Sequence, residues 1–185
     1  CTGLEKVTIP EGIETIGNGA FMGCINVQEV MIPEGVTEIG SNAFDNCGNI
    51  KEIDFPETLK TIGNSAFANN NKSEKVRFPD NIERIGADAF QNDSKITEIK
   101  LPENLKKAGQ GAFGECSGLT EIEIPRALET VETVYWRDQN GMFRGCSNLK
   151  NIRFEEGSKK IIDNIFVNCT GLEKVTIPEG IETIG

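Results

Sequence analysis

Hydrophobic and polar residues alternate along this chain in a pattern that returns every 23 residues. Its form is L-x-x-I-x-I-P-x-x-V-x-x-I-G-x-x-A-F-x-x-C-x-x, and residues 32–47 display it most clearly. A fixed period of this length is typical of a solenoid, in which each repeat stacks only on its neighbours. The third apolar position of the successive copies holds Ile9, Ile32, Phe55, Phe78, Leu101, Ile124, Phe154 and Ile177.

Two short strands are predicted in each copy. The last two apolar residues before the proline position alternate with a polar residue, as in Val7-Thr8-Ile9, which is the period of a half-buried strand. Proline suits the strand end because it cannot donate a ladder hydrogen bond. A second apolar pair follows, for example Val36 and Ile39, and we interpret it as a second short strand.

The segment after the second strand begins with a column of glycines. Glycine at this point indicates either a tight corner with unusual backbone angles or a close approach of two chain segments. The Ala-Phe pair that follows, as in Ala43 and Phe44, predicts one turn of α-helix or 3₁₀ helix. The glycines of this column are Gly17, Gly40, Gly63, Gly86 and Gly109.

The repeats predict one solenoid domain over residues 1–185. A lone repeat buries too few apolar side chains to offset the conformational entropy of ordering it, so several repeats must stack to be stable. The sixth repeat carries an insertion of seven residues. The predicted repeats are 4–26, 27–49, 50–72, 73–95, 96–118, 119–148, 149–171 and 172–185, the last of them partial.

Charge and composition exclude several classes of function. The net charge is −10 at pH 7, and a protein that binds nucleic acid needs cations to displace counterions from phosphate. We therefore expect no nucleic-acid partner, and the same charge disfavours binding to an anionic membrane surface. The sequence has no apolar run of 18 residues, so we expect no membrane insertion, and its first residues do not resemble a signal peptide.

Six cysteines occupy one column of the pattern, where Asn70 and Asp93 stand in the middle repeats. Zinc binding is disfavoured because the chain has no CxxC motif and no histidine, and a cysteine nucleophile would lack its usual histidine base. Neighbouring strands lie about 4.8 Å apart, which suits a disulfide, but stacked side chains point in parallel and each run holds three cysteines. We favour a structural ladder of buried free thiols, formed by Cys1, Cys24, Cys47, Cys116, Cys146 and Cys169.

The outward positions of the first strands carry many charged residues. We expect opposite charges to face each other across neighbouring strands, as Asp54 and Arg77, Lys100 and Glu123, and Glu123 and Arg153. A pair of carboxylates for glycoside hydrolysis is the alternative, but nothing in the sequence marks a cleft. We expect no catalytic residue, no cofactor and no bound metal. The candidates for partner binding on this face are Met31, Arg77, Lys100 and Arg153.

The insertion contains the chain's single tyrosine and single tryptophan, Tyr135 and Trp136, followed by Arg137. Tyrosine, tryptophan and arginine are the residues most often found at binding hot spots, which favours a role in partner binding. The alternative is that these side chains fold back and cover a repeat that the insertion has interrupted.

The pattern resembles the BspA-like, or Treponema-type, leucine-rich repeats along essentially the whole chain, most closely in the motif of residues 32–47. The resemblance implies a leucine-rich-repeat solenoid of parallel β-strands stacked in a curved right-handed coil, with short second strands and helical or 3₁₀ turns. It also implies an extracellular or cell-surface protein of bacterial type that is associated with adhesion and contacts to other proteins.

The expected function is a non-enzymatic surface for a protein partner, such as a host or extracellular-matrix protein. Eight strands give a face of roughly 500 Å², which is below the ~800 Å² per partner of a standard interface, so a tight partner must also touch a flank. The alternative is a structural spacer, or a segment that associates with itself by end-to-end stacking, because Cys1–Gly17 and Cys169–Gly185 are identical.

Overall fold

The computed structural model describes residue 1 and residues 3–133 and 141–185. Within these residues the chain forms short β-strands and turns. In chain order the strands are β1 (Lys6–Thr8), β2 (Thr15–Ile16), β3 (Glu29–Met31), β4 (Glu38–Ile39), β5 (Glu52–Asp54), β6 (Thr61–Ile62), β7 (Lys75–Arg77), β8 (Arg84–Ile85), β9 (Lys107–Gly109), β10 (Glu121–Ile124), β11 (Thr130–Glu132), β12 (Asn151–Phe154), β13 (Lys160–Ile161), β14 (Lys174–Thr176) and β15 (Thr183–Ile184).

The strands stack as the rungs of a parallel β-solenoid. We number the rungs by their strands: β1 and β2 form the first, β3 and β4 the second, β5 and β6 the third, and β7 and β8 the fourth. The fifth rung contains residues 96–101 and β9, and the last three contain β10 and β11, β12 and β13, and β14 and β15. The first-strand side, the second-strand side and the turn side of the solenoid are named after the segments that form them.

Register follows the sequence pattern, because apolar residues lie over apolar residues from rung to rung. Val7 pairs with Val30, Ile122 pairs with Ile152, and all strand pairs in the described part of the chain are parallel. This arrangement confirms the predicted parallel solenoid with short second strands.

The two strand sides differ in continuity. The second strands form one six-stranded sheet in the order β11-β9-β8-β6-β4-β2, and β13 pairs separately with β15. The first strands form three smaller sheets, β1-β3, β5-β7 and β10-β12-β14. The first-strand side is therefore interrupted more often than the second.

The turn side contains no helix within the described residues, so the predicted helical or 3₁₀ turn after the glycine is wrong. In the second rung the amides of Asn42, Phe44 and Asn46 donate to carbonyls of the third rung, at 2.7–2.9 Å. The amides between them, of Ala43 and Asp45, donate three residues back within their own rung. Asn42 and Asn46 have φ of 57° and 56°, which a right-handed helix does not admit.

A stack of phenylalanine rings fills the solenoid behind the turn side. From Phe21 to Phe113, neighbouring rings in the stack lie 5.1–5.5 Å apart with planes within 14° of parallel. Phe143 and Phe166 extend the stack at 5.7 and 6.2 Å. The stack places an aromatic ring in the core of seven successive rungs. Its fully buried members are Phe44, Phe67, Phe90, Phe113 and Phe143.

The glycine column permits a close approach of neighbouring rungs. A Cβ atom on Gly63 would lie 2.5 Å from the amide nitrogen of Ser41 and 2.6 Å from the carbonyl carbon of Gly40. A Cβ on Gly86 would meet Asn64 N at 2.5 Å. Neither glycine has a left-handed φ. The structure thus selects close approach over an unusual backbone angle as the reason for glycine.

Candidate functional site

A groove of about 820 Å³ opens on the first-strand side of the fifth to eighth rungs. Its walls come from residues 98–101 and from β10, β12 and β14. Ile99 and Leu101 are buried in its floor, while Glu98 and Lys100 stand exposed between them. The fifth rung thus keeps the burial alternation that the sequence predicts for a strand.

The fifth rung nevertheless forms no ladder on this side. Within the described part of the chain, residues 97–101 make no backbone hydrogen bond, and the sheets on either side end at β7 and begin at β10. Its backbone N–H and C=O groups therefore have no backbone partner within the described residues. Unpaired groups of an extended segment are a template for the addition of another strand.

Ion pairs within the first-strand side neutralise most of its cations. Arg77 Nη1 lies 3.4 Å from Asp54 Oδ1, and Arg153 Nη2 lies 3.4 Å from Glu123 Oε2, so both of these predicted pairs are confirmed. The ion pairs are exposed and contribute little to stability, roughly 0–1 kcal/mol each.

The predicted pair between Lys100 and Glu123 is wrong. Lys100 Nζ lies 3.2 Å from Glu103 Oε1 and 3.8 Å from Asp80 Oδ1. The hydrogen bond with Glu103, followed by the charge of Asp80, raises the pKa of Lys100. The interrupted ladder is the physical reason, because residues 96–101 are not held in register with β10.

Three charged side chains in the groove have no ion pair within the described residues: Glu98, Glu121 and Lys174. Glu121 is in register with Asn151, and Asn151 with Lys174. The groove therefore has an acidic end at the fifth and sixth rungs and a basic end at the eighth.

The residues predicted for partner binding do not form one patch. Lys100 and Arg153 line the groove, whereas Arg77 lies in β7 and Met31, which is 51% exposed, lies in β3, outside the groove's lining. Tyr135, Trp136 and Arg137 lie outside the described residues.

A second opening, of about 540 Å³, separates β11 from β13 on the second-strand side. Thr133, two residues before Tyr135, lines this opening and not the groove. Ile162 also lines it, in the column that glycine holds in the first five rungs. Since a Cβ in this column meets the backbone of the preceding rung, we infer that Ile162 keeps the seventh rung away from the sixth.

The cysteine column is buried beside the phenylalanine stack, except for Cys1, which is exposed; all six cysteines are free thiols. Each thiol from Cys47 onward donates to the carbonyl of a phenylalanine in the preceding rung, as Cys146 Sγ does to Phe113 O at 3.0 Å. Burial raises the pKa of Cys47 to about 11 and of Cys146 to about 12. Thiols with raised pKa values form little thiolate at neutral pH and react slowly.

A thiol titration should separate Cys1 from the other five. In the native chain at pH 7–8, a thiol reagent should react quickly with Cys1 alone, because the others are buried. After unfolding it should count six groups. Two or more fast thiols in the native chain, or fewer than six after unfolding, would contradict the buried column of free cysteines.

Sequence reasoning assigned no role to Asn70 and Asp93, which the structure buries completely within the cysteine column. The available signal was that two polar residues stand where the other repeats place a thiol. The described residues contain no group of three metal-ligating side chains and no helix that could span a lipid bilayer.

Comparisons with known proteins agree with this architecture. The family model described as BspA type leucine rich repeat region matches residues 1–119 and 112–185, in six copies. No curated protein sequence matches the chain.

Several solved structures are similar in fold. A leucine-rich repeat protein of T. pallidum is 22% identical, with a TM-score of 0.65 and coverage of 98% of this chain and 73% of that one. The pneumococcal vaccine antigen PcpA is also 22% identical, with a TM-score of 0.56 and coverage of 96% of this chain and 52% of the antigen. The chain thus spans about half the length of that antigen. Because the family match runs along the whole sequence, the chain belongs to the BspA-type leucine-rich repeat family.

Proposed function

We propose that this chain is a non-enzymatic protein-binding module of adhesion type, exposed on a bacterial surface or secreted, and that its groove receives an extended segment of a partner protein. The observation that carries the proposal is the fifth rung, whose backbone groups at residues 97–101 are unpaired within the described residues while its side chains line the groove. The similar pneumococcal protein is named a vaccine antigen, which supports a surface setting for this chain as well.

The charges of the groove indicate the chemistry of the partner. Lys100 and Arg153 of the groove already have carboxylate partners, whereas Glu98 and Glu121 have no cationic partner, and Lys174 has no anionic one, within the described residues. We therefore propose that the partner segment places a lysine or arginine against Glu98 and Glu121 and an acidic group near Lys174. Complementary charges of this kind set orientation and association rate more than affinity.

The size of the surface indicates the strength of binding. The first-strand face of roughly 500 Å² falls short of the ~800 Å² per partner of a standard interface, so the groove alone would bind weakly. We propose Tyr135, Trp136 and Arg137 as the supplementary contact of a tight partner, such as a host or extracellular-matrix protein. Many weak contacts along a longer array are the other route to firm adhesion.

Charge reversal in the groove tests the proposal. Glu98→Lys/Glu121→Lys should weaken binding to a matrix protein captured by the wild-type chain about tenfold or more, and the loss should shrink at high salt. Glu14→Lys/Glu38→Lys is the matched control, because it makes the same charge change at exposed residues of the second-strand side. A Tyr135→Ser/Trp136→Ser variant measures the supplementary contact separately.

Equal affinities for the groove variant, the control and the wild type would contradict the groove as the binding surface. Binding to none of a panel of matrix proteins would favour the structural alternative, in which the segment is a spacer or stacks end to end with further copies.

A further inference from the structure

The cysteine column follows one hydrogen-bonding rule. From the second rung to the seventh, with the exception of the fourth, the side chain of the column residue donates to a phenylalanine carbonyl of the preceding rung, with donor–acceptor distances of 3.0–3.2 Å. The pairs are Cys47 with Phe21, Asn70 with Phe44, Cys116 with Phe90, Cys146 with Phe113, and Cys169 with Phe143. Thiol and amide side chains can both make this contact because both are hydrogen-bond donors.

Asp93 occupies the fourth rung of this column, where an ionised side chain would have no hydrogen to donate. Its side chain is 0% exposed. Oδ1 accepts a hydrogen bond from the backbone amide of Asn70 at 2.6 Å, but Oδ2 has no partner in the described part of the chain. Asn70 Oδ1, also buried, is likewise an acceptor without a donor there. The two buried oxygens, Asp93 Oδ2 and Asn70 Oδ1, therefore lack a hydrogen-bond donor within the described residues.

We propose that Asp93 holds a proton on Oδ2 in the native chain at neutral pH, and that this proton links the third and fourth rungs as a pH-sensitive switch. By the register of the column the acceptor is the carbonyl of Phe67, which also accepts from Asn70 Nδ2 at 2.8 Å, and Asn70 Oδ1 is a second acceptor within the column. The protonated carboxyl thus acts as the thiols and the amide of Asn70 do.

The surroundings of Asp93 favour the neutral form. Burial raises the pKa of Asp93 well above its ordinary range, and the hydrogen bond from Asn70 N opposes that rise. Asn70 packs against it from the third rung, and the titratable group from the fifth is Cys116, itself a buried thiol with a raised pKa. Glu115, which precedes Cys116, adds negative charge at that thiol. None of these groups supplies a cation that would hold Asp93 ionised.

The switch lies next to the proposed binding groove. The carbonyl of Asp93 accepts from the amide of Ile96 at 3.2 Å, and the unpaired stretch of the fifth rung follows directly. Loss of the proton would leave a buried carboxylate facing carbonyl oxygens, so the rungs must separate or admit water.

The sign of the pH effect follows from linkage. Below about pH 4 both the native and the unfolded chain carry the proton, because that is near the pKa of an unperturbed aspartate. Above it the unfolded chain loses the proton while the native chain keeps it, so the native chain loses stability as the pH rises. The loss continues up to the native pKa of Asp93, with the unfolding constant rising about tenfold per pH unit.

The test compares the full chain with Asp93→Asn by urea unfolding from pH 4 to pH 9. Asn70 shows that an asparagine amide can donate the column's hydrogen bond to a phenylalanine carbonyl. Asp93→Asn should therefore lose the pH dependence of stability that Asp93 causes. The unfolding constant of the wild type, divided by that of Asp93→Asn, should rise about tenfold per pH unit above about pH 4. Asp54→Asn, at an exposed residue, should run parallel to the wild type. Parallel curves for wild type and Asp93→Asn would overturn the proposal.

A second measurement applies even if the variant does not fold. The carboxyl ¹³C resonance of Asp93 in the wild-type chain should keep the chemical shift of a protonated acid at pH 7. A carboxylate shift at pH 7, or titration in the ordinary aspartate range, would overturn the proposal directly.

Discussion

Replacing Phe90 with alanine should lower the free energy of unfolding by about 3–5 kcal/mol. The ring is fully buried and lies 5.3–6.4 Å from four other rings: Phe55, Phe67, Phe78 and Phe113. Its removal leaves a cavity that rungs on both sides border, and their hydrogen-bonded turns limit collapse into it. Urea unfolding monitored by circular dichroism measures the loss.

Phe21→Ala is the matched control, because it removes the same side chain from the same column. Phe21 is only partly buried, and within the described residues it stacks on Phe44 alone. Phe21→Ala should lower the free energy of unfolding clearly less than Phe90→Ala does. Equal losses would mean that position in the stack does not set the contribution of each ring.

Gly63→Ala should destabilise the chain by about 3 kcal/mol, at the upper end of the usual cost of overpacking. The added Cβ would lie 2.5–2.6 Å from backbone atoms of Ser41 and Gly40, and backbone cannot rotate away as a side chain can. The second and third rungs would have to separate, which would lengthen the hydrogen bond from Gly63 N to Ile39 O, now 2.7 Å. Thermal or urea unfolding measures the effect.

The control for this substitution is Gly17→Ala in the same column. A Cβ on Gly17 would meet no atom within 4 Å, and its backbone is not in the left-handed region. Gly17→Ala should therefore change the stability of the chain little. A destabilisation by Gly17→Ala as large as that by Gly63→Ala would show that glycine is needed in this column for its backbone angles and not for close approach.

The strands and their register could be predicted because both depend on local periodicity. Val7, Val30 and their equivalents repeat at one spacing, and parallel stacking is the arrangement that buries all of them at once. Glycine was harder to interpret, since the same residue serves a left-handed turn and a close contact. The sequence alone left that choice open.

The turn segments were predicted wrongly although the sequence contained a signal. Two columns four residues apart, represented by Asn42 and Asn46 in the second rung, are rich in glycine, asparagine and aspartate. These are the residues that tolerate positive φ, and positive φ in both columns excludes a helix between them. The Ala-Phe pair alone favours a helical turn, but the polar residues on either side of it do not allow one.

The groove could not be predicted because the sequence pattern does not mark the rung that lacks a ladder. Residues 96–101 have the same pattern as the paired strands, although they pair with neither β7 nor β10. The sequence pointed to the cations Arg77, Lys100 and Arg153, but in the structure their neighbours neutralise them. The uncompensated carboxylates, Glu98 and Glu121, become visible only when the ion pairs are known.

Amide hydrogen exchange of the free and the partner-bound chain tests the binding surface most directly. In the free chain the amides of residues 97–101 should exchange much faster than those of β12, because the former have no backbone hydrogen bond within the described residues. A bound matrix protein should slow exchange at residues 97–101 and leave the second-strand side of the first four rungs unchanged. Slow exchange at residues 97–101 in the free chain, or protection by a partner elsewhere but not there, would contradict the groove as the binding site.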